Sequence, residues 1–109
     1  MRGLFVDKPV AVVVNSCTKT ATALGQCYKL KGCIVIELDK NLKGKMLVGI
    51  LAHELKHAEQ YCKRQLTVRK SRFYWKGKPC PNSQSNCPAE IAAWRYSERI
   101  VDTLYPVVQ

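Results

Sequence analysis

Apolar and polar positions alternate along this chain in a way that separates strand-like from helix-like stretches. Residues 4–14 form an apolar, largely β-branched run broken at Asp7-Lys8-Pro9, a pattern that predicts a buried or edge strand rather than a helix. Asn15 to Thr22 is polar and rich in Ser and Thr and reads as a loop. From Gln26 to Leu38 two strand-like pieces flank Lys31-Gly32. The second piece, Cys33-Ile34-Val35-Ile36-Glu37-Leu38, alternates only partly, so one face is expected to be covered along its length. Asp39 to Gly44 is a turn punctuated by Asn41 and Gly44.

The longest helical signal runs from about Lys45 to Arg64, roughly 30 Å at 1.5 Å per residue. Its first half, Met46 to Ala52, is apolar all round and predicts a helix buried on most sides. Residues 66–79 alternate loosely through Leu66, Val68, Phe73 and Trp75 and pass Lys76-Gly77, as a hairpin would. Pro79 to Pro88 is a loop dense in Pro, Asn and Ser. Pro88 suits a first helical position, where its missing N–H costs nothing. The last helix is expected from about Ala89 to Leu104, ending before Pro106. This order predicts an α+β fold: a short β-sheet packed on a central helix, a basic hairpin and a C-terminal helix, all in one domain over residues 1–109.

Composition narrows the functional classes. An apolar share of 47% excludes wholesale disorder. No apolar run approaches the roughly 18 residues of a membrane span. Asp7, Lys8 and Pro9 interrupt what an export signal would need, so a cytoplasmic monomer is expected. Eighteen Lys and Arg against eight Asp and Glu leave a formal charge of +10, which favours anionic partners without choosing among them. Six cysteines (Cys17, Cys27, Cys33, Cys62, Cys80 and Cys87) contain no Cys-x-x-Cys pair, so buried free thiols are expected, with a Cys80–Cys87 bridge as the exception.

The central helix carries His53-Glu54-Leu55-Lys56-His57, an HExxH motif built from the only two histidines of the chain. Residues four apart on a helix differ by about 40° in azimuth, so both imidazoles project from one face. That spacing lets two neutral ring nitrogens share a Zn²⁺ ion at roughly 2.0–2.1 Å. Glu54 lies about 100° round and can flank the ion as general base for an attacking water. A catalytic zinc needs a third protein ligand and an open fourth position. With no histidine left, a later carboxylate is the economical choice among Glu59, Glu90, Glu98 and Asp102. Glu59 points about 200° away from His57 and drops out. Glu90 opens the last helix, where Ala92 and Ala93 would allow a close helix approach; Glu98 is the runner-up. Cys62, the best thiolate alternative, faces about 140° from His57.

On these residues the chain resembles the gluzincin branch of the zincin metallopeptidases, and more narrowly the small zincin-like proteins of phages and bacteria. The matching stretches are Gly32 to Ile36, Leu51 to Tyr61 and Pro88 to Ala93. The resemblance implies a zinc-dependent peptidase with His53, His57 and Glu90 as ligands and Glu54 as general acid/base. It also implies that strand 33–38 is the edge along which an extended peptide lies. The chain departs from larger gluzincins in having no separate C-terminal subdomain. Tyr96, about 120° from Glu90 on its helix, is a candidate to steady the oxyanion, with core packing as its other role. Tyr61 and Tyr74 are weaker candidates, and Gln60 lies within about 20° of His53 and could support a ligand.

Between Gln60 and Ala89 there is no acidic residue, while Lys63, Arg64, Arg69, Lys70, Arg72, Lys76 and Lys78 are all basic, with Phe73-Tyr74-Trp75 among them. Three readings are open. The segment could bind nucleic acid, it could place its aromatics in the core and its charges in water, or it could select acidic peptide substrates. A zinc-stabilised nucleic-acid-binding or adaptor protein without catalysis is therefore the alternative to the peptidase.

Overall fold

The computed structural model describes residues 4, 6–15, 24–70, 72–80 and 87–106. Six strands and two helices give an α+β fold in the order β1 (Val10–Asn15), β2 (Gly25–Leu30), β3 (Cys33–Asp39), α1 (Gly44–Cys62), β4 (Leu66–Arg69), β5 (Arg72–Trp75), β6 (Lys78–Pro79) and α2 (Pro88–Leu104). β1 is shorter than its apolar run because Pro9 has no N–H for a ladder; its carbonyl instead accepts from the Ile34 amide at 2.9 Å. Asn15 belongs to β1 rather than to the loop after it, and most of that loop, with Cys17, lies outside the described residues.

β1, β3 and β2 form one sheet in that spatial order, β1 parallel and β2 antiparallel to β3. β3 is thus the central strand, not the edge expected from its likeness to the peptidases. Its residues fit the centre. Ile34, Ile36 and Leu38 share one face and are almost wholly buried, and Val35 is buried on the other. The outer strands are β1 and β2.

Helix α1 lies on this sheet, with Leu47, Ile50, Leu51 and Leu55 packed against Ile36, Leu38 and Leu42. Gly25 permits the closest approach: a Cβ there would stand 2.7 Å from Ile50 Cγ2. The apolar first half of α1 is not its buried half. Met46 is 59% exposed, whereas His53, Glu54, His57, Glu59 and Gln60 in the second half are buried. The reason is positional, since α2 and the strand after α1 close over that end, where Ala58 and Tyr61 join Ile34, Leu66, Cys87 and Ala89 in a core cluster.

At the C-terminal end of α1, Arg64 takes a left-handed conformation (φ 58) and the Gln65 amide returns to the Gln60 carbonyl at 3.0 Å, closing the helix. The expected hairpin then forms with a third strand added, β4, β5 and β6 making an antiparallel sheet. α2 starts at Pro88, as its ring favours, and crosses α1 on small residues. Ser97 Oγ donates to the Gly49 carbonyl at 2.7 Å, and Ala89 and Ala93 are buried. Among the described residues, no helix is long and apolar enough to cross a membrane.

Candidate metal centre

The α1–α2 crossing places the polar half of α1 opposite the first turn of α2. His53 and His57 meet one helical turn apart, their Nε2 atoms separated by 3.0 Å. Glu90, in the first turn of α2, straddles both: its two carboxylate oxygens lie 3.1 Å from His53 Nε2 and 2.9 Å from His57 Nε2. Three ligand groups therefore form a triangle with contacts of 2.9–3.1 Å, the carboxylate presenting a different oxygen to each ring. Ligands at about 2.05 Å around a tetrahedral ion stand roughly 3.3 Å apart. A small outward relaxation of the triangle would admit zinc. Glu54 stands beside it, its carboxylate and the two histidine donors all within 4.8 Å of one another.

Neighbouring groups hold the rings. Gln60 Oε1 accepts from His57 Nδ1 at 2.8 Å, which leaves the Nε2 lone pair free for a metal. Gln60 Nε2 in turn donates to the Ala89 carbonyl at 3.0 Å, so one side chain orients a ligand and ties α1 to the start of α2. The helical angle had placed Gln60 near His53; it serves His57 instead. Trp94 packs edge-on against His53, ring centroids 4.1 Å apart. The sequence reading missed Trp94, although its position four residues after Glu90 puts both on one face of α2.

Burial drives His53 down to about 4, with the neighbouring His57 adding to the effect and Glu90 opposing it, so this ring is neutral at pH 7. For His57, burial also works against charge, but the hydrogen bond to Glu90 and its negative charge prevail and raise the ring. Glu90 is lowered: burial pushes it up, while its hydrogen bond to His57 and the two imidazoles pull it down further. Both shifts favour the charged forms of His57 and Glu90, the pair that a cation would bridge. Burial raises Glu54 to about 7, His57 opposing and Glu90 reinforcing the shift. A carboxyl poised there can both take and give a proton near neutral pH.

The remaining candidates fall outside this cluster. Glu59 is buried but pairs with Lys56 at 2.6 Å and with Lys63 at 3.8 Å. Glu98 and Asp102 are exposed further along α2. Tyr96 sits beneath Lys56, whose Nζ is 5.5 Å from its ring centre, and lines a groove of about 430 Å³ with Ile91, Arg95 and Arg99. The tyrosine that feels the charges of Glu54 and Glu90 is Tyr61, which is buried and raised above its ordinary value, mainly by that burial. Cys62 packs against the core cluster instead of the triangle. Cys27, Cys33, Cys62, Cys80 and Cys87 are free thiols. Cys80 and Cys87 are hydrogen-bonded rather than bridged, and burial, with that bond adding, pushes Cys80 up to about 12.

No protein-family model, no curated protein and no solved structure matches the chain.

Proposed function

We propose that this protein is a zinc-dependent peptidase, with His53, His57 and Glu90 as metal ligands and Glu54 as general base. The observation that supports it most is the meeting of His53, His57 and Glu90, with contacts of 2.9–3.1 Å, beside a buried carboxyl. Zinc, when bound, supplies the charge that acidifies a water molecule toward neutrality and polarises a peptide carbonyl. Glu54 takes the proton of the attacking water and delivers it to the amide nitrogen as the C–N bond breaks. Gln60 keeps His57 in the ligating tautomer, and Trp94 walls the His53 side of the site.

In this reading an extended substrate runs along β2, not β3. β2 is an outer strand whose far edge has no partner strand among the described residues, and its Cys27 lies close enough to Glu54 to feel that carboxylate's charge. Main-chain hydrogen bonds to such an edge hold a peptide extended without selecting its side chains.

Glu54→Gln tests the proposal. Zinc content should stay at the wild-type level while cleavage of a peptide library, followed by mass spectrometry, falls about 10²–10⁴-fold. Unchanged cleavage by Glu54→Gln would overturn the assignment of the base. The non-catalytic reading rests on one feature: the same ligands join α1 to α2, so a metal there would also brace the fold. A zinc-loaded wild-type protein that cleaves nothing in the library supports that alternative.

A further inference from the structure

The β4–β5–β6 sheet carries features that none of the site chemistry uses. Seven of the chain's cations fall between Lys63 and Lys78, in a stretch from Gln60 to Ala89 without one acidic residue. Arg69 and Arg72 face each other directly across the β4–β5 pair and are both exposed. Like charges in that arrangement repel, so the hairpin end is destabilised unless something anionic lies over it.

Backbone geometry adds a second sign. Among the described residues, three non-glycine residues have positive φ, and all are cations of this segment: Arg64 (φ 58), Lys70 (φ 48) and Lys76 (φ 49). Glycine adopts that conformation freely and asparagine readily, so the turns hold charged side chains where uncharged residues fit with less strain.

The aromatics bear on one of the three sequence readings, that of a core face backed by solvated charge. Leu66 pairs with Trp75 and Val68 with Phe73 on the same face. Trp75 packs against the core, but Val68 is 49% and Phe73 46% exposed, so this apolar face runs past the end of the core into solvent. The segment is therefore not simply core on one side and solvated charge on the other.

We propose that this sheet binds single-stranded nucleic acid, its cations engaging the phosphates and Phe73 offering a ring on which a base stacks. By strand alternation Arg69 and Arg72 lie on the face opposite Val68 and Phe73, and Lys70 sits at the turn between them. Cations on both faces suit a flexible polyanion that wraps the hairpin end. A lipid surface fits less well, because Arg69, Lys70 and Arg72 occupy the hairpin end and only Val68 and Phe73 beside it offer exposed apolar surface, too little for an inserting face. An acidic peptide would answer the charge, but its carboxylates offer no aromatic face to stack on the exposed ring as a base does.

The test is fluorescence anisotropy of a labelled single-stranded oligonucleotide of about 20 residues, titrated with the full chain at about 20 to 200 mM salt. Binding should weaken steeply with salt, with a log–log slope near −3 if about four phosphates are engaged. Phe73→Ala should lower affinity about tenfold with the slope kept, since stacking is insensitive to ionic strength. Arg69→Gln/Arg72→Gln should flatten the slope by roughly one unit. All are exposed positions, and unchanged melting temperatures would show that the variants remain folded. Absence of binding at low salt, affinity indifferent to both variants, or tighter binding to phosphatidylglycerol vesicles or polyglutamate would overturn the proposal. Peptide cleavage is not the readout, so the outcome stands apart from that of the peptidase reading.

Discussion

Glu54 is the residue at which burial and chemistry conflict most directly. Its carboxyl is raised from its ordinary 4.5 to about 7 by removal from water, against the opposing pull of His57. An acid with a raised folded-state value binds more protons folded than unfolded between those two values. Its contribution to stability is therefore complete below pH 4.5 and lost as pH rises toward about 7. At about 1.4 kcal/mol per unit, the loss in metal-free protein is at most about 3 kcal/mol. Glu54→Gln has no such titration, so urea denaturation of both metal-free proteins should show the variant gaining on wild type as pH rises through this window. A constant difference would mean that the buried carboxyl is relieved by water or by movement of α2. The histidine spacing and the acid opening α2 were legible in the sequence because helical azimuth is a local property. Trp94 was less so: its contact with His53 depends on how the two helices cross, and no spacing within one helix fixes that.

Elements were legible one by one, and their arrangement less so. The strand at 33–38, the turn at Lys31-Gly32 and the start of α2 at Pro88 all follow local rules, and all are present. The position of β3 between β1 and β2 depends on pairings between segments distant in sequence. One hint was available, since the run Ile34-Val35-Ile36 is too continuously apolar for a strand with an open edge and an open face. The burial of α1 inverts expectation for a related reason: neighbours, not its own apolar residues, decide which half is covered. Gly25 shows how tightly β2 is set against this helix. A methyl group there meets Ile50 Cγ2 at 2.7 Å and the Glu37 carbonyl at 3.3 Å, and neither a β-branched side chain nor a paired backbone yields easily. Gly25→Ala should cost about 1–3 kcal/mol of stability, seen as a lower urea midpoint. Because α1 carries both histidines and would be displaced from β2, zinc affinity should fall with it; a normal midpoint would mean that β2 has slack.

Across the whole molecule the proposed metal centre is also the joint between the two helices, since His53 and His57 belong to α1 and Glu90 to α2. A ligand that binds only the folded form at about 1,000 times its dissociation constant adds about 4 kcal/mol. For a chain of this size that corresponds to roughly 15 °C in melting temperature. The pH dependence of this increment is distinctive. In the metal-free protein, His57 is raised by Glu90, so its contribution is present below its unfolded value of 6.5 and lost as pH climbs through the folded one. Glu54 declines over a range that overlaps it. A metal held by His57 competes with protonation of that ring, so its affinity grows as pH rises. Above about pH 6.5 the chelated protein should therefore melt lower as pH rises while the zinc-supplemented protein gains or holds. Glu90→Ala should bring the two melting curves close together at every pH, because both the bridge between the helices and the charge that raises His57 are gone. If the zinc increment persists in Glu90→Ala, the ion does not join α1 to α2, and the third ligand lies elsewhere.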